Sequence, residues 1–370
     1  MYLLTILPLL SLPLTLAKPP ANYLLPSLTN TSVQVDTKPG CSALDRPYIP
    51  SQNSTTYEWW YFDAVSSDGL SSVVLIPFSG PIVGRHYPQF LLQIVTPEGE
   101  IFHTITEYGP NGRMYVSTKG DGSSGIIGEG DFTWIGEPDL GRYDLKVDLK
   151  EHNVSGSVTL ISASKPFLLC DTLGPEASTQ SFWFLDWINL IGDAVAIVDL
   201  KVGDQRVAFT GNGYHDKASR NWGPVHFNQH IHHWYWGHAR ASLFSVVWYK
   251  MVTNANETKS GAWIAKDGEE VISACVEDTS VDIVPFGNNV TIPPNRANDT
   301  DDIDGFTISV QQGGEEYMFR FEEKVWTPGY GGTYARWIGN FTGGKVGEEE
   351  GWGSGVGVTE QMGPFGGLVL

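Results

Sequence analysis

The chain has 370 residues, 23 basic and 42 acidic, for a formal net charge of −19. That excess repels polyanions and argues against nucleic acid or an anionic membrane surface as a partner; at roughly 150 residues per domain the length allows about two domains. Thirteen Trp, 15 Tyr and 17 Phe supply the apolar area of a packed core, while 42 Gly and 22 Pro point to many turns.

The first predicted element is residues 1–17, MYLLTILPLLSLPLTLA, an uncharged apolar run interrupted by Pro8 and Pro13. It is too short to span a bilayer. Thr15-Leu16-Ala17 ahead of Lys18-Pro19-Pro20 has the form of a small-residue cleavage site, so the run reads as a secretory signal peptide and the expected location is the secretory pathway or the extracellular space. No later run is long and apolar enough for a membrane span. Sequons at Asn30, Asn53, Asn153, Asn256, Asn289, Asn298 and Asn340 predict N-glycans on surface loops or strand edges. In an oxidising compartment, Cys41, Cys170 and Cys275 supply one disulfide and one leftover thiol, and the sequence does not say which pair bridges.

Beyond the leader, period-two patterns dominate. Tyr143, Leu145, Val147 and Leu149 alternate with Asp144, Lys146, Asp148 and Lys150, a half-buried strand. Similar runs are SSVVLIPF, PQFLLQIVT, VSGSVTLISA, AVAIVDLKV, RVAFTGNGY, ARASLFSVVWYKMV, VISACVED, GFTISVQ and EYMFRFEEKVW. Turn pairs separate them: Asp68-Gly69, Asn111-Gly112, Asp121-Gly122, Asp267-Gly268 and Gly313-Gly314. The one helical turn expected lies around Phe184–Leu190. The fold class is therefore all-β, two antiparallel barrels or sandwiches with little helix. The polar stretch around Asn221–His233 sets the expected boundary: an N-terminal β domain over 18–220 and a C-terminal β-barrel domain over 221–370. The acidic stretch PPNRANDTDDIDG reads as a solvated loop, and the Gly-rich tail, with Trp352, Val356 and Val358, as an irregular last strand.

Several absences narrow the chemistry. The sequence has no G-x-S-x-G elbow, Walker loop, Rossmann glycine fingerprint or H-E-x-x-H, which disfavours the common serine hydrolases, nucleotide enzymes and zincins. His226, His230, His232, His233 and His238 invite a metal reading, with His230 and His232 on one strand face. No carboxylate stands at a suitable spacing there, and the aromatic neighbours suit a packed barrel rim, so no metal is assigned. The block Glu58-Trp59-Trp60-Tyr61-Phe62-Asp63 puts rings on both faces of one strand, one set for the core and one able to line a cavity for a large flat ligand. In Gly211-Asn-Gly-Tyr214-His215-Asp216, the Tyr and Asp lie two apart and face one side, where together they could polarise or protonate a ligand group; the plainer reading is a packed Tyr and a turn-capping Asp.

The Glu58–Asp63 block, the G-x-G-Y-x-D…N-W-G block at Gly211–Gly223 and the strand Trp234-Tyr-Trp-Gly-His-Ala-Arg240 resemble, in order along nearly the whole mature chain, the lipocalin-like superfamily of bacterial carotenoid 1,2-hydratase (hydroxyneurosporene synthase) and the fungal Diels–Alderases of secondary metabolism. The resemblance implies two lipocalin-like β-barrel domains packed together, a large pocket at or near their junction, and no metal or organic cofactor. The hydratase's Tyr-x-Asp acid pair falls on Tyr214 and Asp216. Its upstream His has no counterpart in Trp183-Phe-Leu-Asp186-Trp187, which favours the pericyclase branch over alkene hydration. With the signal peptide and sequons, the likeness within that branch is to enzymes of tropolonic sesquiterpene biosynthesis, where a tropolone o-quinone methide adds to a humulene-type alkene in an intermolecular hetero-Diels–Alder reaction. On this reading Trp59, Tyr61, Trp183, Trp187 and Trp222 are walls that hold apolar polyketide or terpenoid substrates. Tyr214, His215 and Asp216 supply the polar contact to the heterodiene oxygen. The rival classes are an intramolecular Diels–Alderase, an alkene hydratase, a binding protein for an apolar metabolite or glycan, and a glycosidase with its acid pair among Glu58, Asp63, Asp186 and Asp216.

Overall fold

Runs with every second residue apolar pair into antiparallel ladders, and the tight turns decide which runs become neighbours. The computed structural model describes residues 33, 35–38, 40, 43–49, 52–80, 87–169, 171–221, 230–273, 280–294, 302–328 and 334–364, and the backbone of Tyr23–Leu25. Its strands are β1 Tyr23–Leu25, β2 Thr56–Ser66, β3 Ser72–Ser79, β4 Gln89–Val95, β5 Ile101–Glu107, β6 Met114–Lys119, β7 Gly122–Ile127, β8 Phe132–Gly136, β9 Arg142–Leu149, β10 Val154–Ser162, β11 Gln180–Phe182, β12 Leu185–Val202 and β13 Gln205–Asn221. After these come β14 Ile231–Ala241, β15 Phe244–Thr253, β16 Thr258–Lys266, β17 Glu269–Ser273, β18 Ser280–Asn288, β19 Asp302–Gln312, β20 Glu315–Pro328, β21 Tyr334–Lys345 and β22 Gly353–Met362.

The first 13 strands form one sheet in the order β1-β6-β7-β8-β9-β10-β12-β13-β2-β3-β4-β5, with β11 against β12. The other nine form a second, β17-β16-β15-β14-β22-β21-β20-β19-β18. Both are antiparallel and curl into half-barrels, as the alternation predicts. The ends of the second sheet are drawn together by side chains: Ser260 Oγ of β16 donates to Val281 O of β18 at 2.9 Å, and Gln312 Nε2 to Ser273 O at 3.3 Å. The chain passes from the first sheet to the second between Asn221 and Ile231.

Three expectations change. Phe184–Leu190 is not a helical turn: Leu185–Leu190 opens the long strand β12, buried on both faces, and so shows no alternation. The run ARASLFSVVWYKMV is two strands, β14 and β15, separated by a turn at Ser242, which adopts a left-handed φ of 52°. The Gly-rich tail does form the last strand, but a regular one: β22 runs for ten residues in mid-sheet between β14 and β21.

Burial follows the pleat. On β2, Trp60, Phe62 and Ala64 point into the first half-barrel beside Phe132, Trp134 and Tyr143. Their alternates, Tyr57 and Tyr61, point the other way into a second cluster with Trp187, Tyr214, Trp236 and Trp263. Tyr235, Trp248, Phe319, Trp337 and Phe341 fill the second half-barrel. The Glu58–Asp63 block is thus aromatic on both faces because one face fills a barrel and the other meets the second sheet.

Candidate active site

The seam between the sheets is built from three rows of cross-strand neighbours. Asp216 of β13 stands opposite Tyr61 of β2 on one side and Asn189 of β12 on the other. One step along, Ala218 stands between Trp59 and Trp187. From the second sheet, Glu360 of β22 stands between Trp236 of β14 and Arg336 of β21. Because neighbours in register project to the same face, these rows place carboxyls and rings on facing surfaces. Between them lies a cleft lined by Trp59, Tyr61, Trp187, Trp236, Asp216 and Glu360, with Leu185, Ala218, Trp234, Tyr249 and Met251 completing the wall. It holds about 450 Å³ free of protein atoms, open mouth included. This aromatic-walled cleft is the slot.

Asp216 is the candidate acid of the cleft. Its Oδ2 accepts from Trp187 Nε1 at 2.8 Å and lies 2.9 Å from the Tyr214 hydroxyl; its Oδ1 is buried and has no partner. Burial pushes its carboxyl up to about 8; the donated hydrogen bonds oppose this, and the charges of Glu360 and Asp63 add to it. At neutral pH the group therefore carries a proton. With Oδ2 receiving donors, Oδ1 is the oxygen left to carry that proton. Tyr214 sits between Asp216 Oδ2 and Asn189 Oδ1 and can donate to either. Burial, then the Asp216 charge, holds its phenol well above the ordinary range, so it remains a donor.

Two further pairs buttress the slot. Asp63 accepts from the Tyr61 hydroxyl at 2.7 Å and from His238 Nε2 at 2.8 Å, and the His238 ring stacks on Tyr214 with centroids 4.8 Å apart. Glu360 Oε2 accepts from Arg336 Nη2 at 2.9 Å and from the Tyr334 hydroxyl, while Arg336 also donates to Tyr334 Oη at 2.6 Å.

The structure brings Trp59, Tyr61, Trp187 and Asp216 to the slot and sets Tyr214 directly behind Asp216. It takes His215 elsewhere. One step along β13, that ring points into the first half-barrel, stacked on Phe62 at 4.0 Å; Nδ1 donates to Tyr61 O at 2.9 Å and Nε2 lies 3.3 Å from Asp45 Oδ2. Trp183 is 49% exposed against Phe184 and His230, away from the slot wall. Trp222, His226, Asn30, Asn298, the three cysteines and residues 1–17 lie outside the described residues. Among the described residues, no three of His, Cys, Asp and Glu gather around a common point; His232 and His233 meet each other at 2.8 Å between their Nδ1 atoms. The sequons Asn153, Asn256 and Asn289 occupy exposed turn positions with φ of 53°, 61° and 56°, while Asn53 and Asn340 are half-buried. Glu360, Arg336, Asn189 and Asp63 with His238 were not singled out by sequence as parts of this site. Glu360, the one carboxylate between Val356 and Met362, is the signal the sequence offers.

Two antiparallel sheets with a buried carboxyl in the aromatic cleft between them fit an enzyme of the Diels-Alderase type, and the comparisons with known proteins establish that class. The chain belongs to the Diels-Alderase-like family, whose sequence pattern matches residues 27–363. It is 32% identical over 267 residues to the quinolone epoxide rearrangement protein asqO of Emericella nidulans, covering 68% of this chain and 70% of that one. Over 327 residues it is 29% identical to the quinolone epoxide rearrangement protein penF of Penicillium thymicola, covering 83% and 86%. The crystal structure of CghA shares the fold, with a TM-score of 0.70 over 90% of this chain and 95% of that one at 17% identity.

Proposed function

We propose that this enzyme activates a flat, conjugated secondary metabolite by protonating an oxygen on it, and that the electron-poor intermediate then rearranges or closes a ring inside the slot. One observation carries the reading: the Asp216 carboxyl lines the aromatic cleft and is buried there with Oδ1 unpartnered, and that burial raises it to about 8. The substrate favoured by the relatives' names is an epoxide on a quinolone-like bicycle. Asp216 gives its proton to the epoxide oxygen as a C–O bond breaks; the resulting cation faces the rings of Trp59, Trp187 and Trp236. After a group migrates, the cation loses a proton back to Asp216, so the acid is restored. General acid catalysis of this kind contributes about 10²–10⁴-fold.

A second substrate class uses the same acid. Leu185, Trp234, Tyr249 and Met251 add an apolar stretch of wall with no charged side chain, fit for a hydrocarbon co-substrate. A hydroxymethyl tropolone would lose water after protonation by Asp216, then return its ring O–H proton to the carboxylate, leaving a neutral o-quinone methide. This heterodiene adds to one alkene of a humulene-type partner with C–C and C–O bonds formed and no net proton change. Confinement of both reactants can remove about 7–11 kcal/mol of such a barrier. The discriminating experiment incubates the enzyme with a quinolone epoxide, and separately with a hydroxymethyl tropolone plus humulenol, and follows products by chiral chromatography. Single-enantiomer product from either, lost in Asp216→Asn, supports the acid role. Turnover undiminished in that variant would remove Asp216 from the chemistry.

We further propose that the chain is secreted and glycosylated, on the leader-like residues 1–17 and on the exposed turns at Asn153, Asn256 and Asn289. Expression in a secreting fungal host should yield protein that loses mass on N-glycanase treatment. Ser155→Ala, Thr258→Ala and Thr291→Ala should each remove one step of that loss.

A further inference from the structure

Asp216 is not the only carboxyl in the slot. Glu360 enters it from the opposite sheet, and its two oxygens are used unequally. Oε2 takes both the Arg336 guanidinium and the Tyr334 hydroxyl; among the described residues no hydrogen bond reaches Oε1. Were Glu360 needed only to neutralise Arg336, a fork of two parallel bonds to both oxygens would be the stronger arrangement. Instead Arg336 spends its Nη2 on Glu360 Oε2 and Tyr334 Oη together, reaches Gln93 Oε1 with Nη1 at 3.5 Å, and lies 5.5 Å from the centre of the Tyr61 ring. The carboxylate is clamped by one oxygen, and the other is left to the slot.

We infer that Glu360 Oε1 is a specificity-determining acceptor that receives a hydrogen bond from a lactam N–H or enolic O–H of the substrate, while Asp216 Oδ1 serves the substrate's oxygen from the other sheet. The inference rests on the proposed substrate class, a flat ring system bearing both a donor and an acceptor. It adds a selection rule. The slot reads the substrate as a donor–acceptor pair, so masking the donor with a methyl group leaves the free carboxylate oxygen of Glu360 covered by the ligand without a partner and places a methyl against it. Rejection of alkylated analogues then comes from Glu360, and the walls contribute only shape.

The substitution E360Q converts the acceptor into a donor without emptying the position. Arg336 and Tyr334 both donate, so they hold the Gln carbonyl where Oε2 stood and turn its NH₂ toward the slot. Binding is read from quenching of the slot tryptophans or by calorimetry, with 2-quinolone, N-methyl-2-quinolone, tropolone and tropolone methyl ether as probes. In the wild type, methylation should weaken binding by about 10–100-fold, the worth of a hydrogen bond to a charged group. In E360Q the two members of each pair should bind alike, or the methylated one better, while Asp216→Asn keeps the wild-type preference. If wild-type enzyme binds both members of each pair equally, Glu360 does not read the donor and the inference falls, whatever the variant does. An equal methylation penalty in wild type and E360Q overturns it too, by assigning the preference to the walls. If the wild type binds none of the four probes, the substrate class itself is wrong, and the inference falls with it.

Discussion

Asp216 makes two measurable demands on the molecule. Its carboxyl is lifted from an ordinary value of 3.8 to about 8 in the folded chain, chiefly by burial. Between those limits the native state holds one proton more than the unfolded state. Stability is therefore fully present below about pH 4 and is eroded as pH rises toward 8, at up to about 1.4 kcal/mol per pH unit. Asp216→Asn removes this dependence while keeping an acceptor for Trp187 Nε1 and an NH₂ at the unpartnered side. Urea unfolding should show the variant close to wild type at pH 4 and increasingly more stable than wild type up to pH 8; a constant gap would mean that native Asp216 is ionised throughout. The same proton sets the activity profile. kcat should fall as pH rises through about 8, because the acid form is lost, and Asp216→Asn should lose about 10²–10⁴ in kcat with a smaller change in KM, since it can still donate a hydrogen bond but has no proton to transfer.

Among the elements, two strand pairs, one of them carrying part of the slot wall, pack a ring over a glycine of the neighbouring strand. Trp248 of β15 stands opposite Gly237 of β14, and a Cβ on that glycine would come within 2.3 Å of the indole; Trp134 of β8 likewise covers Gly125 of β7 at 2.1 Å. Both rings are wholly buried, with no room to retreat. Gly237→Ala and Gly125→Ala should each destabilise by about 1–3 kcal/mol through overpacking. Gly237→Ala should also lower kcat/KM, because Trp236 is its neighbour on β14 and lines the slot, whereas Gly125→Ala should spare it. Equal activity losses at matched stability would detach the slot from the register of β14. These strands also show how far sequence reaches. Half-buried strands such as β9 announce themselves by alternation, and Tyr214 with Asp216 could be read as sharing a face from their spacing alone. Strands buried on both faces, such as the start of β12, lose that signature. His215 stands one residue away from both and faces into the first half-barrel instead of the seam, a consequence of the pleat. Glu360 and Arg336 meet only because β21 and β22 pair, and nothing local in a Gly-rich tail states that register.

For the molecule as a whole, the slot and the junction of the sheets are the same place, so whatever joins the sheets also shapes the site. An apolar cluster along the seam does most of the joining, with polar pins through it: Asp63 to His238, Asp193 to Arg240 at 2.6 Å and to Ser245 at 2.5 Å, and Asn212 Nδ2 to Val356 O at 3.2 Å. A further bond, Lys324 Nζ to Asp68 O at 2.8 Å, crosses from one sheet to a turn of the other at the exposed surface. These pins should differ greatly in worth. His238→Ala leaves the Asp63 carboxyl buried with the Tyr61 hydroxyl alone and removes the ring stacked on Tyr214, so it should cost about 3–5 kcal/mol, the usual result of breaking a buried pair. Lys324→Ala removes a solvent-facing contact and should cost less than about 0.5 kcal/mol. Because the seam is also the slot, His238→Ala should depress kcat/KM even at temperatures where the variant is fully folded, whereas Lys324→Ala should leave it untouched. Chemical denaturation followed by tryptophan fluorescence, with activity measured below the transition, separates the two. A His238→Ala variant that is destabilised as expected yet turns over at the wild-type rate would show that the sheets can loosen without disturbing the slot, and would uncouple the fold's junction from its chemistry.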